Sequence, residues 1–399
     1  MTMNLQSVRV RHPWPVQPRT SGLLALALSS VLASEAAMAQ VGADVGTPAR
    51  SASPVEVGAV LDLAHTSREL ALGNRDQGLA LGHSEVTLGA KLGRNFAGRA
   101  TAVAHSDEGK IEFEFEEAFV ETTSLPRGLQ LRGGRFLAQI GYLNELHLHT
   151  DDFVQRPLLY RAFLGNHYFD DGLRLNWVAP TGLYWRNGVE VFGGRKLVEE
   201  SDSGSQLGAV VLSTKVGGDI DVSNSWQLGL SYLRNRRPAH AEEEEEHFGE
   251  AEHHEAHGAG YSGRHLTVID GVWKWAPNGN NRERQLRLSA EYARVNGLAE
   301  AASSLAHRSG YVSAVYRFAP QWEAGIRADE LRIREPHEDH VDSGKLQEVS
   351  AMLAWKPSHY SALRVQFSRQ RDRGGFEDAN RTVQVQYLMS FGAHGAHPF

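Results

Sequence analysis

His147 and His149 stand two residues apart, and Asp151 and Asp152 follow at once. On an extended backbone His-x-His turns both imidazoles to one face. Imidazole and carboxylate together suit zinc, copper or nickel. The same chemistry recurs from His240 to Gly258, HAEEEEEHFGEAEHHEAHG. That stretch carries His240, His247, His253, His254 and His257 among eight glutamates. No fixed geometry is encoded there, so weak, multiple binding of divalent cations such as Zn2+ is expected, not one closed site. A purely solvated acidic spacer has the same composition. A third stretch, EPHEDHVD, adds His337 and His340 beside acids.

A second kind of chemistry lies in KIEFEFEEAFVETT. Glu112, Glu114 and Glu116 recur at the strand period, roughly 7 Å apart on one face. Ile111, Phe113, Phe115 and Phe119 take the other face. Such a row needs water, cations or arginines close by, and Arg132 on the next segment is the nearest candidate. It reads as a charge-balanced wall or as a cation-favouring stripe. Other motifs exclude more than they propose. The chain has no cysteine, which removes thiolate sites and disulfides. No Gly-x-Ser-x-Gly and no His-Glu-x-x-His occurs, so no enzyme is expected. A formal net charge of −7 argues against nucleic-acid binding.

The elements that must position these residues show period two. Leu286, Leu288, Ala290 and Tyr292 oppose Arg287, Ser289 and Glu291. Trp322, Ala324, Ile326 and Ala328 oppose Glu323, Arg327 and Asp329. Segments of around ten residues with one apolar face suit strands crossing a bilayer, apolar side to lipid and polar side to a water-filled lumen. Arg132, Arg287, Glu291 and Arg327 are therefore expected to line the pore with the glutamate row. Proline turns between aromatic-bearing segments repeat: Leu125–Gly128, Trp177–Trp185, Trp273–Gly279, Tyr316–Trp322 and Leu353–Tyr360. Proline belongs at turns, and Trp and Tyr mark a membrane interface. Longer polar connections, roughly 66–76, 141–171, 235–262, 296–309, 335–345 and 372–379, alternate with them. The expectation is all-β: a transmembrane antiparallel β-barrel of about 16 strands (14–18), with long outer loops and short periplasmic turns.

The N-terminus fits export. Arg9, Arg11 and Arg19 precede GLLALALSSVLA and the small-x-small site Ala37-Met38-Ala39. Residues 1–39 read as a signal peptide, 40–54 as a periplasmic lead-in and 55–399 as the barrel.

The segment from Gly134 to Gly194 resembles a known family. Gly134-Arg135-Phe136, Gly141 to Asn144, His147-x-His149, Arg156-Pro157-Leu158, Asp171-Gly172, Ala179-Pro180-Thr181 and Val191-Phe192-Gly193-Gly194 look like porin-type proteins related to phosphate-selective porins. The closest branch is the one described as zinc-regulated outer-membrane proteins. The likeness extends to the glutamate row and the HGAHPF tail. It implies an outer-membrane channel for passive passage of small hydrophilic solutes or ions. To that the His/Glu-rich loops add the expectation of assisting divalent metal (zinc) uptake. The alternative is a metal-capturing receptor with the barrel as scaffold. The lysine ladders of the phosphate-selective relatives are absent here. Expected partners are the lipid bilayer, divalent cations and the barrel assembly machinery, met through the terminal Phe399. By analogy alone, the assembly is a homotrimer.

Overall fold

The computed structural model describes residues 55–107, 109–194, 207–236, 261, 263–298, 305–336, 341–376 and 380–392. The expected signal peptide and lead-in lie outside these residues, as do His240, His247, His253, His254, His257, His337, His340 and Phe399.

The strands are β1 (Val55–Thr66), β2 (Gly78–Leu81), β3 (Ser84–Leu92), β4 (Phe96–Asp107), β5 (Lys110–Thr122), β6 (Leu129–Leu137), β7 (Phe169–Val178), β8 (Tyr184–Phe192) and β9 (Ala209–Asp221). They continue with β10 (Asn224–Asn235), β11 (His265–Trp275), β12 (Gln285–Asn296), β13 (Ala306–Ala319), β14 (Trp322–Pro336), β15 (Val341–Ser358), β16 (Ser361–Asp372) and β17 (Arg381–Gly392). Each pairs antiparallel with its neighbours, and β1 closes the ring on β17. The segments β2 and β3 both pair with β1, through Leu63↔Leu81 and Val60↔Glu85. They are one stave interrupted at Gly82 and His83, so seventeen segments make a sixteen-stave barrel.

Alternation explains the wall. Leu288, Tyr292, Val312, Ile326, Val349, Val365 and Phe367 stand exposed on the outside. In a soluble protein that apolar band is a liability, and in lipid it is the solvent-matched face. Trp177, Trp185, Trp322, Trp355 and Tyr360 collect at the proline-turn end. The short turns and both described ends of the chain share this end, which is the periplasmic one in this class.

The largest connection joins β6 to β7, from residue 138 to 168, and it folds into the barrel. It contains α1 (Leu158–Phe163). Pro157 caps the start, where its missing N–H costs nothing. The helix ends as Gly165 turns left-handed at φ 55°. All six helix residues are buried. Leu158, Leu159, Tyr160, Ala162 and Phe163 pack on Val268, Ala293, Val295, Tyr311, Leu331, Ile333 and Leu346 of β11 to β15. Burying each large side chain is worth roughly 1.5–3 kcal/mol.

This corrects the expectation of a polar lumen throughout. Towards the outer end the inward faces of β11 to β15 are apolar, because they meet an inserted loop and not water.

Candidate functional site

The inserted loop is tied down before it can present anything. Asn144 clasps both of its ends. Its amide donates to the carbonyls of Ala138 and Tyr168, both at 2.8 Å, and its Oδ1 accepts from Tyr168 N–H at 2.7 Å. Glu291 accepts from Tyr142 N–H at 2.9 Å, from Tyr160 Oη at 2.8 Å and from Tyr311 Oη at 2.7 Å. A Cβ on Gly141 (φ 64°) would lie 2.2 Å from that same carboxylate, so the loop turns in on a residue without one. Arg327 donates to Gln155 O at 2.6 Å and ion-pairs with Asp329 and Glu348. Arg287 binds Asp152, and Arg156 binds Asp151 at 2.8 Å.

Several expected pore residues are thereby reassigned. Glu291 and Arg327 do face inward, but the loop covers them and they serve as its anchors. Arg287 is half-covered in the same role. Asp151 and Asp152 are not brought to the histidines, because arginines already hold both carboxylates.

His147 and His149 are brought to carboxylates of the opposite wall, on β3 and β5. The cause is an irregularity that period two cannot show. Between Thr101 and Ala102 of β4 the partner register jumps from Glu117 to Phe115, skipping Glu116. This β-bulge turns Glu116 and Glu117 both inward. Both are buried, with 1% and 3% exposure. The parity shift also buries Phe119, which the alternation placed outside with Ile111, Phe113 and Phe115. Arg132 lies over the Phe119 ring at 3.8 Å and pairs with Glu121 at 2.6 Å, not with the glutamate row. Glu114 lines the outer cavity described below, and Glu112 stands exposed above it.

The cluster is compact. His147 Nδ1 lies 3.0 Å from Glu116 and 3.2 Å from Glu85, and its Nε2 lies 3.1 Å from Glu117. His149 Nδ1 is 2.9 Å from Glu85. His167 Nε2 is 3.0 Å from Glu116, and His83 Nε2 is 3.4 Å from it. His83 enters through the break between β2 and β3. Neither it nor Glu85, Glu117 and His167 was singled out from the sequence. A histidine beside a glycine at an interrupted alternation was the faint signal.

Ionised carboxylates only accept hydrogen bonds, so a ring held between two of them donates from both nitrogens. Burial works against charge on His147, but Glu116 and Glu85 outweigh it and hold its pKa well above the ordinary histidine value. Burial pushes His167 down to about 3, with Glu116 opposing. The same cluster thus pushes His147 and His167 in opposite directions.

The cluster forms a neck between two cavities. The periplasmic one, about 630 Å³, is lined by Arg99, Arg132, Arg174 and Arg186 against Glu85, Glu117 and Glu145. The outer one, about 460 Å³, is lined by Glu69, Asp76, Asp107, Glu114 and Asp151 against Arg75 and Arg161. Acidic lining outside and mixed lining inside favour approach of cations from the outer mouth. Both cavities touch the β1–β7 side of the wall, because α1 occupies the other side.

No protein-family model matches the chain. An uncharacterized protein of Aquifex aeolicus (strain VF5) is 29% identical over 353 residues, covering 82% of this chain and 71% of that one. Among solved structures, OprB of Pseudomonas putida has a TM-score of 0.56 at 12% identity, covering 84% of this chain and 94% of that one. The anion-selective porin of Comamonas acidovorans gives 0.54 at 13%, with 84% and 99% covered. Outer-membrane-expressed OmpT of Vibrio cholerae gives 0.54 at 9%, with 88% and 99% covered. This chain has the closed antiparallel β-barrel fold seen in outer-membrane porins. At these identities the likeness speaks for the fold, and the neck must be argued from its own residues.

Proposed function

We propose that this barrel is a porin-like channel whose neck passes divalent metal cations, zinc foremost. The observation that carries the reading is the convergence of His83, Glu85 and Glu116. One ligand atom from each lies within 4.8 Å of the others. Imidazole with carboxylate is a zinc-type donor set. The donors also fit a cation physically. Glu85 Oε2 and Glu116 Oε1 are buried without a well-directed hydrogen bond. His147, wedged between Glu85, Glu116 and Glu117, holds the place among these carboxylates that an entering ion takes over. His149 and His167 are at hand for successive ligation. The histidine-rich segment 240–258 then serves to raise metal concentration near the mouth.

A second reading is favoured by the apolar packing of the inserted loop. If the loop seals the barrel, the neck is a capture site and the barrel its scaffold. Planar-bilayer conductance separates the two: stable channels support passage, and their absence supports capture. Metal binding is tested apart from conductance, by calorimetry with Zn2+ on the folded barrel. Glu116→Gln and His83→Ala should each weaken binding roughly 10–100-fold, the range typical of disturbed metal sites. The outward-facing control His65→Ala should leave it unchanged. Equal affinity in all four proteins would remove the neck from the reading.

A further inference from the structure

The outward face of the barrel carries an unusual row of cations at its outer end. Arg294 of β12 stands opposite Arg308 of β13, Arg308 opposite Arg332 of β14, and Arg332 opposite Lys345 of β15. Further round, Arg369 of β16 stands opposite Arg381 of β17. Arg371 follows on the same face, and Arg68 lies beyond the end of β1, its N–H on Thr382 Oγ1 at 3.3 Å. These side chains share the strand face of the lipid-exposed Tyr292, Val312, Val349, Phe367 and Val383.

Like charges directly opposite in a ladder destabilise the pair. Among the described residues, ion pairs reach only Arg332 and Lys345 of these eight. Both go to Glu330, at 2.6 and 2.8 Å. Arg68, Arg369, Arg371 and Arg381 line one open groove of about 630 Å³. The band is one-sided. At the same height β5 presents Ile111, Phe113 and Phe115, and Arg135 is paired with Asp171 at 2.8 Å.

We propose that this band binds phosphate-bearing headgroups of the lipids around the barrel, and most tightly in the Arg68–Arg369–Arg371–Arg381 groove. Guanidinium forks match phosphate bidentately. The apolar belt directly below suits the acyl chains of the same molecule. A ligand that meets both surfaces is a phosphorylated lipid, and free phosphate meets only one. The inference is independent of what passes through the neck.

The test uses the purified, folded barrel in detergent and native mass spectrometry. The probes are bisphosphorylated lipid A, its dephosphorylated form, and inorganic phosphate as competitor. The wild type should retain the phosphorylated lipid at least tenfold better than the dephosphorylated one. The triple variant R369Q/R371Q/R381Q should lose that preference while keeping the heat-modifiable migration of a folded barrel. Should the triple variant not fold, Arg369→Gln alone serves. It removes one like-charge pair, so it should weaken lipid retention without lowering thermal stability in lipid-free detergent. Equal retention of both lipids by the wild type overturns the proposal. So does undiminished preference in the variants, or displacement of the lipid by an equal concentration of inorganic phosphate.

Discussion

His147 touches three carboxylates and belongs to none of the wall strands. Its position fills the centre of the neck with a ring carried by the inserted loop. Replacing it with alanine removes the ring that bridges Glu116 and Glu117, so Zn2+ should meet a less crowded but also a looser cage. The expected result is altered stoichiometry of proton release on metal binding, read by calorimetry in buffers of different ionisation heat. Glu291 makes a contrasting prediction. Glu291→Ala leaves two tyrosine hydroxyls and one backbone N–H without their acceptor, at about 1–3 kcal/mol for each buried group. Thermal stability should fall measurably, while Zn2+ affinity should change less than in Glu116→Gln. His147 and His149 were visible as His-x-His. Their partners were not, because Glu85, Glu117, His83 and His167 come from three separate stretches that only barrel closure brings together.

At the scale of elements, the decisive pieces are irregular. The bulge at Glu116–Glu117 and the gap at Gly82–His83 each place one more functional side chain inward than strict alternation allows. Periodicity found the strands and could not find the defects in them, so Phe119 was put on the wrong face. The inserted loop was legible as a long connection, and its tendency to enter the barrel could be read from length and position. Its anchors could not. Arg287, Glu291 and Arg327 look like lumen residues in sequence, since inward polarity is the same whether water or a loop covers it. Asn144→Ala tests the clasp. Losing three hydrogen bonds at the loop's ends should give larger and noisier single-channel currents, with the barrel still folded. Unchanged current traces would mean that α1 and the Glu291, Arg327 and Arg287 anchors hold the loop without the clasp.

The whole molecule was the most legible scale. Alternation, proline turns and aromatic ends yielded a count of about sixteen, and sixteen staves close the ring. What the pattern lacked was the asymmetry of the interior: one side of the lumen filled by α1, the other left to cavities and a neck. Deleting residues 237–260 should leave Zn2+ affinity at the neck within about twofold. It should slow uptake at limiting metal, because the segment's charge acts on encounter and not on the bound state. Radiometal uptake into liposomes, set beside equilibrium binding to the same preparation, distinguishes the two effects.

The bulge on β5 has a kinetic consequence. Under the proposed reading, a passage narrowed to donor atoms would move its cargo by ligand exchange, one ion handed from one set of oxygens and nitrogens to the next. Flux through it should level off at a concentration set by occupancy, and a tighter-binding ion should slow a weaker one travelling behind it. Width then decides little, and residence time decides throughput.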